Sequence, residues 1–298
     1  MSSLILNSKP VPQILATKEN ERKAKGRKGR LRLRRPPKQR TPITQEREFR
    51  SSILKSLRRL RDLVNTLLLP RLSELERDAL VEDEARRSDV ESWPETLRRI
   101  MESINAGVSD REIQTAAQAA TQQVSAVNSE RIARQLRSVL GVDVLAADPA
   151  LGATVQASIN ESVGLIKSVE SKYLEEVEGT VLRAFRTGQR ASSVAPELAQ
   201  RFKVSERKAA FIARDQVLKL NGDLTRNRQT AAGIPSYIWR TSLDERVRPD
   251  HAELEGSKQS WDDPPIVDSR TGRTAHPGGD FNCRCTAEPD IDALLGPE

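Results

Sequence analysis

Between about Gln45 and Gly233 apolar side chains recur at steps of three and four, a spacing that confines this part of the chain to helices. Phe49, Ile53, Leu57, Leu60, Val64 and Leu67 fall on one helical face. Pro70 interrupts or kinks that helix, and the spacing resumes at Leu72, Leu75 and Leu80. Ser109, with Glu112 three residues on, opens a helix in capping-box style that runs through Ile113, Ala117, Ala120, Val124, Val127 and Ile132 to Gly141. Asp148 and Pro149 offer an N-cap and a first helical residue for a second long helix through Ile159, Val163, Ile166, Val169, Tyr173, Val177 and Val181. Two long helices with so short a connection are expected to lie antiparallel. Gly188 ends the second. A short helix follows around Val194 to Phe202, and Ser205 caps a last run through Ala209, Ile212, Ala213, Val217 and Leu220 that stops near Gly233.

The segment before these helices has a different character. Residues 18–40 hold twelve Lys or Arg against Glu19 and Glu21, while the rest of the chain has 37 basic and 40 acidic residues. The net charge of +7 therefore belongs to one segment and not to a basic fold. Pro10, Pro12, Pro36, Pro37 and Pro42 interleave with the charges and little apolar surface remains to bury, so residues 1–44 are expected to form a disordered basic arm. Lys25, Arg27, Lys28, Arg30, Arg32, Arg34 and Arg35 are the candidate contacts to double-stranded DNA, because neutralising phosphates releases counterions whatever the base sequence. No aromatic residue lies in the cluster, so stacking on single-stranded bases is not expected. A solvated tail with no partner, or one that binds an acidic protein surface, is the alternative. With only 3% aromatic but 31% charged residues, an extended molecule is expected.

At Ile234 the composition changes again. Tyr237, Trp239, Trp261, the string Asp244, Glu245, Arg246, Arg248, Asp250, and all His and Cys of the chain lie between Ile234 and Pro289, with Tyr237 to Ser242 the best strand candidate. His251, His276, Cys283 and Cys285 are four nitrogen or sulfur donors of the kind that zinc takes in a tetrahedral set, and a structural zinc would stabilise a module too small for a large core. The one-residue gap between the cysteines is tighter than usual for zinc fingers. That leaves a second reading, in which both sulfurs pack as small hydrophobes and Arg284 reaches an acidic partner. So close a pair is also unlike the disulfide frameworks of secreted proteins, and neither a secretory leader nor an apolar run of membrane-spanning length is present. A soluble protein made in a reducing cytoplasm, with no membrane targeting, is expected. Asp244, Asp250 and His251 could be read as a hydrolytic site, but no nucleophile or phosphate cradle accompanies them. The simpler role for Asp244, Arg246, Arg248 and Asp250 is a set of ion pairs holding the loops around Trp239. Arg214 and Asp215, in an otherwise apolar helix, are read either as a clamp of the C-terminal module onto the helices or as a surface pair.

An ordered series then becomes apparent: Asn160 and Glu161, the turn Arg186 to Gly188, Ala210 to Gln216, and Gly233 before Tyr237 and Trp239. After these come Thr241, Asp244, Arg246, Arg248, His251, Leu254, Gly256, Pro277, Gly278 and the triplet Cys283, Arg284, Cys285 ahead of Pro289. With this series the stretch from Asn160 to Pro289, a little under half of the chain, resembles the phage Mu F-like minor head proteins, also called head morphogenesis proteins. The resemblance implies a non-enzymatic virion component at the capsid interior or portal vertex, assembled in the host cytoplasm. Portal protein, scaffold or major capsid protein, and packaged double-stranded DNA would be its partners. A stand-alone nucleic-acid-binding protein and a metal-dependent nuclease are the alternatives. Fewer than ten residues follow Pro289, so no appended effector is expected. The expected architecture is mostly α: a disordered arm over 1–44, a helical region over 45–108, a long-helix domain over 109–233, and a compact, irregular α+β module of Mu F-like type over 234–298.

Overall fold

A computed structural model describes residues 10–27, 31, 33–84, 92–141 and 151–295. Asp148 and Pro149, and Lys28, Arg30 and Arg32 of the basic cluster, lie outside the described residues. The helices are α1 (Val11–Ala24), α2 (Ile43–Leu63), α3 (Leu72–Glu84), α4 (Trp93–Ala106), α5 (Asp110–Leu140), α6 (Leu151–Arg186) and α7 (Ala191–Ala231). A short α8 (Pro249–Glu253) lies among the strands β1 (Ser236–Arg240), β2 (Lys258–Ser260), β3 (Ile266–Asp268), β4 (Arg273–Thr274) and β5 (Thr286–Pro289). The fold is mostly helical with a small C-terminal sheet module, as the apolar spacing and the shift at Ile234 require. Packing divides it into two compact units, residues 46–119 with 159–214, and residues 1–45 with 120–158 and 215–298.

In the first of these units the apolar stripe of α2 is buried at Phe49, Ile53, Leu57 and Leu60. Pro70 has no N–H to continue the ladder, and the chain absorbs this without a break, through a π-turn over Val64–Leu68 and one 3-10 turn over Leu69–Arg71 before α3. The wide turn advances the stripe by one position. Leu68 is fully buried where the spacing pointed to Leu67, which is 38% exposed. Leu72, Leu75, Leu97, Ile104, Val177 and Val181 complete the core, each such side chain contributing roughly 1.5–3 kcal/mol by burial. Edge-on pairs Trp93–Phe185 and Tyr173–Phe202 use four of the few aromatics. The start of α4 went unread in the sequence, although Ser92 and Glu95 have capping-box spacing and the Glu95 carboxylate accepts the Ser92 N–H. Helix α7 runs unbroken through Ser205, because Val194, Leu198, Phe202, Ala209, Ile212 and Ala213 stay in phase on one buried face. A separate short helix around Val194–Phe202 therefore does not exist, and Phe211 is on the exposed side of α7.

In the other unit part of the N-terminal segment is helical. Val11, Ile14 and Leu15 of α1 are buried against Ile132, Leu136 and Leu140 of α5 and against Ala232, Ile234 and Ile291. The Val11 N–H donates to the Ala232 carbonyl at 2.9 Å. Further along, Gln135 donates to the Pro37 carbonyl at 2.7 Å and Arg131 to the Arg40 carbonyl.

The C-terminal strands form an antiparallel sheet of order β2-β1-β5, with Trp239 opposite Ala287, and a separate β3-β4 pair. Tyr237 and Trp239, two apart on β1, face one way into a core with Trp261, Val267, Cys283, Cys285 and Ala287. This core is seated on the C-terminal part of α7. Gln229 donates to the Ala287 carbonyl at 3.0 Å and accepts the Trp261 indole N–H at 3.3 Å. At Gly222 the helix meets the turn Pro277–Gly278 so closely that a Cβ would sit 2.5 Å from the Pro277 carbonyl oxygen. Gly278 has φ +90, open to glycine at no cost, and a Cβ there would approach the Leu218 oxygen at 2.7 Å.

Gly222→Ala should therefore destabilise the protein by about 1–3 kcal/mol in chemical or thermal denaturation, because overpacking outweighs the ~1 kcal/mol helix-propensity gain of alanine. Gly164→Ala, exposed on α6 with open space at its Cβ, should show that gain alone.

Candidate metal centre

The donor side chains come from two places. His251 stands on the one-turn helix α8, which Arg248 precedes as N-cap and Pro249 opens. Cys283 and Cys285 flank Arg284 on the extended segment entering β5, so their spacing of two puts both sulfurs on one side. The turn before them is set by Asn282 at φ 49, whose backbone N–H donates to Asp215 of α7 at 2.8 Å.

His251, Cys283 and Cys285 are 2%, 3% and 6% exposed, and their ligating atoms all lie within 4.8 Å of one another. His251 Nδ1 is 3.5 Å from each sulfur. A tetrahedral zinc with its usual bonds to sulfur and imidazole nitrogen spaces such donors about 3.5 Å apart. This buried cluster could thus hold a metal such as zinc. Its electrostatics point the same way. The Cys283 thiol is pushed well below its ordinary range by its hydrogen bond to Cys285, with His251 and the Gly278 N–H helping against the cost of burial. The Cys285 thiol is pushed up by the same Cys283 sulfur and by burial, while the Trp239 indole N–H acts in the opposite sense. The His251 imidazole is raised by Cys283, burial opposing. Two buried sulfurs that compete for one proton beside an imidazole gain from a divalent cation in its place.

His276 stands apart from this group. Its Nδ1 is 3.0 Å from the Tyr237 hydroxyl and its ring lies edge-on to Tyr237 and Trp261. The loop charges take up pairs: Arg284 grips Asp244 with two bonds of 2.6 Å, Asp244 also accepts the Arg246 N–H, and Asp250 accepts the Ser269 N–H at 2.7 Å. Arg248 donates to Asp280 and to the Phe281 carbonyl, both at 2.7 Å, and Trp239 packs edge-on against His251. Arg214 and Asp215 part company. Arg214 pairs with Glu46 at 3.0 Å, and Asp215 alone reaches the C-terminal loop, while also holding Lys219 at 2.7 Å. Among the described basic residues Lys25, Arg27, Arg34 and Arg35 are exposed. The sequence reading passed over Asp280, whose only signal was a carboxylate three residues before Cys283.

A helical protein closed by a small sheet module around a buried His–Cys–Cys donor set is the class these features define. Residues 175–288 match the model of the family described as Phage Mu protein F like protein, so the chain carries a Mu F-like region that contains all three donors. An uncharacterized protein of Haemophilus influenzae is 38% identical over 170 residues, which is 56% of this chain and 37% of the relative. The chain thus spans little more than a third of the length of the curated relative it matches. No solved structure matches.

His276 yields a pH test. Burial, then the charge of Arg226, lowers its pKa to about 4. The unfolded value is about 6.5, so between about pH 6.5 and 4 the unfolded chain binds more protons. Stability is complete above that window and is lost as pH falls through it. His276→Asn should flatten this part of the stability–pH curve, measured by denaturant titration at fixed pH values.

Proposed function

We propose that this chain is a minor component of a phage head, associated with the portal vertex, whose basic N-terminal segment contacts packaged double-stranded DNA. The observation that carries the reading is the Mu F-like match over residues 175–288, which spans the end of α6, all of α7 and most of the sheet module. The portal protein and the scaffold or major capsid protein are the partners on this reading, and the capsid interior or portal vertex is the location. A structural and not an enzymatic role is supported by the site itself. The sulfurs are buried, and Asp244 and Asp250 are bonded within the loops instead of held ready for a substrate. On the same reading the ion at His251, Cys283 and Cys285 is zinc, and it serves as a staple for a module with a small core.

The DNA contact is supported by charge placement. Arg34 and Arg35 are exposed and make no ion pair among the described residues, while nearby Glu288 and Asp290 are already paired with Arg240 and Lys258. The role is tested by quantifying the protein in purified DNA-filled and empty heads. A few copies per particle support it, and absence from both overturns it. For the segment, retention of double-stranded DNA should weaken steeply with salt. Replacing Lys25, Arg27, Arg34 and Arg35 together by Ala should make the slope of log K against log salt shallower by about 3 to 4. An unchanged slope would place the DNA contact elsewhere.

A further inference from the structure

Asp280 is 4% exposed and is shared by three groups from different parts of the module. Its Oδ1 accepts Arg273 of β4 at 2.6 Å, its Oδ2 accepts Arg248 at 2.7 Å, and the same Oδ2 lies 3.3 Å from His251 Nε2. His251 therefore stands between two kinds of acceptor, with the sulfurs on its Nδ1 side and a carboxylate on its Nε2 side. Nε2 is a buried nitrogen with no aligned hydrogen bond, and the Asp280 carboxylate oxygen at 3.3 Å is within reach of a small ring rotation. An imidazole that ligates a metal through Nδ1 must carry its proton on Nε2, and a carboxylate there selects that tautomer, fixes the ring and makes Nδ1 a better donor.

We propose that Asp280 is the positioning residue of a zinc centre formed by His251 Nδ1 and the thiolates of Cys283 and Cys285. The proposal rests on the zinc reading above and adds to it the group that orients its nitrogen ligand. The charges suit the arrangement. Two thiolates neutralise the ion, and the Asp280 carboxylate is balanced by Arg248 and Arg273, so no buried charge is left alone. Because the two guanidinium groups hold Asp280 independently of His251, the carboxylate is in place before the metal arrives. Through Arg248 and Arg273 it also ties the entry of α8 and the strand β4 to the cysteine loop.

The test is the zinc affinity of the full chain at neutral pH, measured by competition with a chromophoric chelator, with the melting of the metal-free chain followed in parallel. Wild type should bind one equivalent. Asp280→Ala should bind about 10- to 100-fold more weakly. Asp280→Asn, which keeps an acceptor oxygen but no charge, should fall between the two, and it decides the matter if the alanine variant does not fold. A merely structural role would lower the melting temperature without changing the metal's ligands. The positioning role predicts that Co²⁺-loaded Asp280→Ala keeps its thiolate-to-cobalt charge-transfer band while its d–d bands move toward those of His251→Ala. Affinity within about 10-fold of wild type, together with loss of binding in Cys283→Ser, would overturn the role of Asp280 and leave the centre standing. Failure of wild type itself to bind zinc would instead remove the centre.

Discussion

The backbone contact between α7 and the Pro277–Gly278 turn is the constraint on which the C-terminal module depends. Gly222 and Gly278 leave no room for a side chain on either surface, so the turn lies directly against the helix. Everything after the turn inherits that position. Asp280 points back to Arg248 and His251, Asn282 is fixed by Asp215, and Cys283 and Cys285 arrive beneath Trp239. A module this small cannot hold such a loop by burial alone. Helix α7 supplies the rigid edge, through one close backbone approach and two side chains, Asp215 and Gln229, that accept from or donate to the loop and strand.

Around the donor cluster the polar groups form two layers of opposite kind. Inside are two sulfurs and an imidazole, whose mutual distances suit a soft tetrahedral ion. Outside are a carboxylate and two guanidinium groups, whose pairing is complete without any ion. The outer layer therefore gives the inner one a fixed frame, and the inner one retains a proton conflict between its sulfurs that a bound cation would relieve.

Much of the helical fold was legible, because long amphipathic helices write their period into the sequence. The failures have physical causes. Leu67 was named in place of Leu68 because a π-turn, which compensates the missing N–H of Pro70, adds one residue to the stripe, and no spacing rule anticipates that. Ser205 looked like a cap, but a serine mid-helix costs little when the apolar face continues through it. Helix α1 escaped notice because three buried side chains, Val11, Ile14 and Leu15, are its whole contribution to the core and charge dominates its surroundings. Of the four donors proposed, three converge. The one-residue gap counted against zinc is what puts both sulfurs on one side of an extended segment. His276 has the right chemistry and the wrong place, since Tyr237 and Trp261 take its ring into their own cluster. Asp280 could not have been chosen from sequence, because nothing distinguishes it from Asp244 or Asp250 until the turn brings it to His251.

The two proposed functions of the chain differ in how they respond to solvent, and this separates them physically. Contacts from exposed arginines and lysines to phosphate act through a counterion atmosphere and weaken with every increment of salt. The donor cluster is buried, its three donor atoms are close enough to share a single ion, and screening hardly touches it. Acid acts in the reverse order, since the arginines keep their charge while thiolates and imidazole would take up protons and release a bound metal. On the head-protein reading, a change of ionic strength would release the DNA-contacting segment with the module intact, and only acid or a chelator would open the module itself.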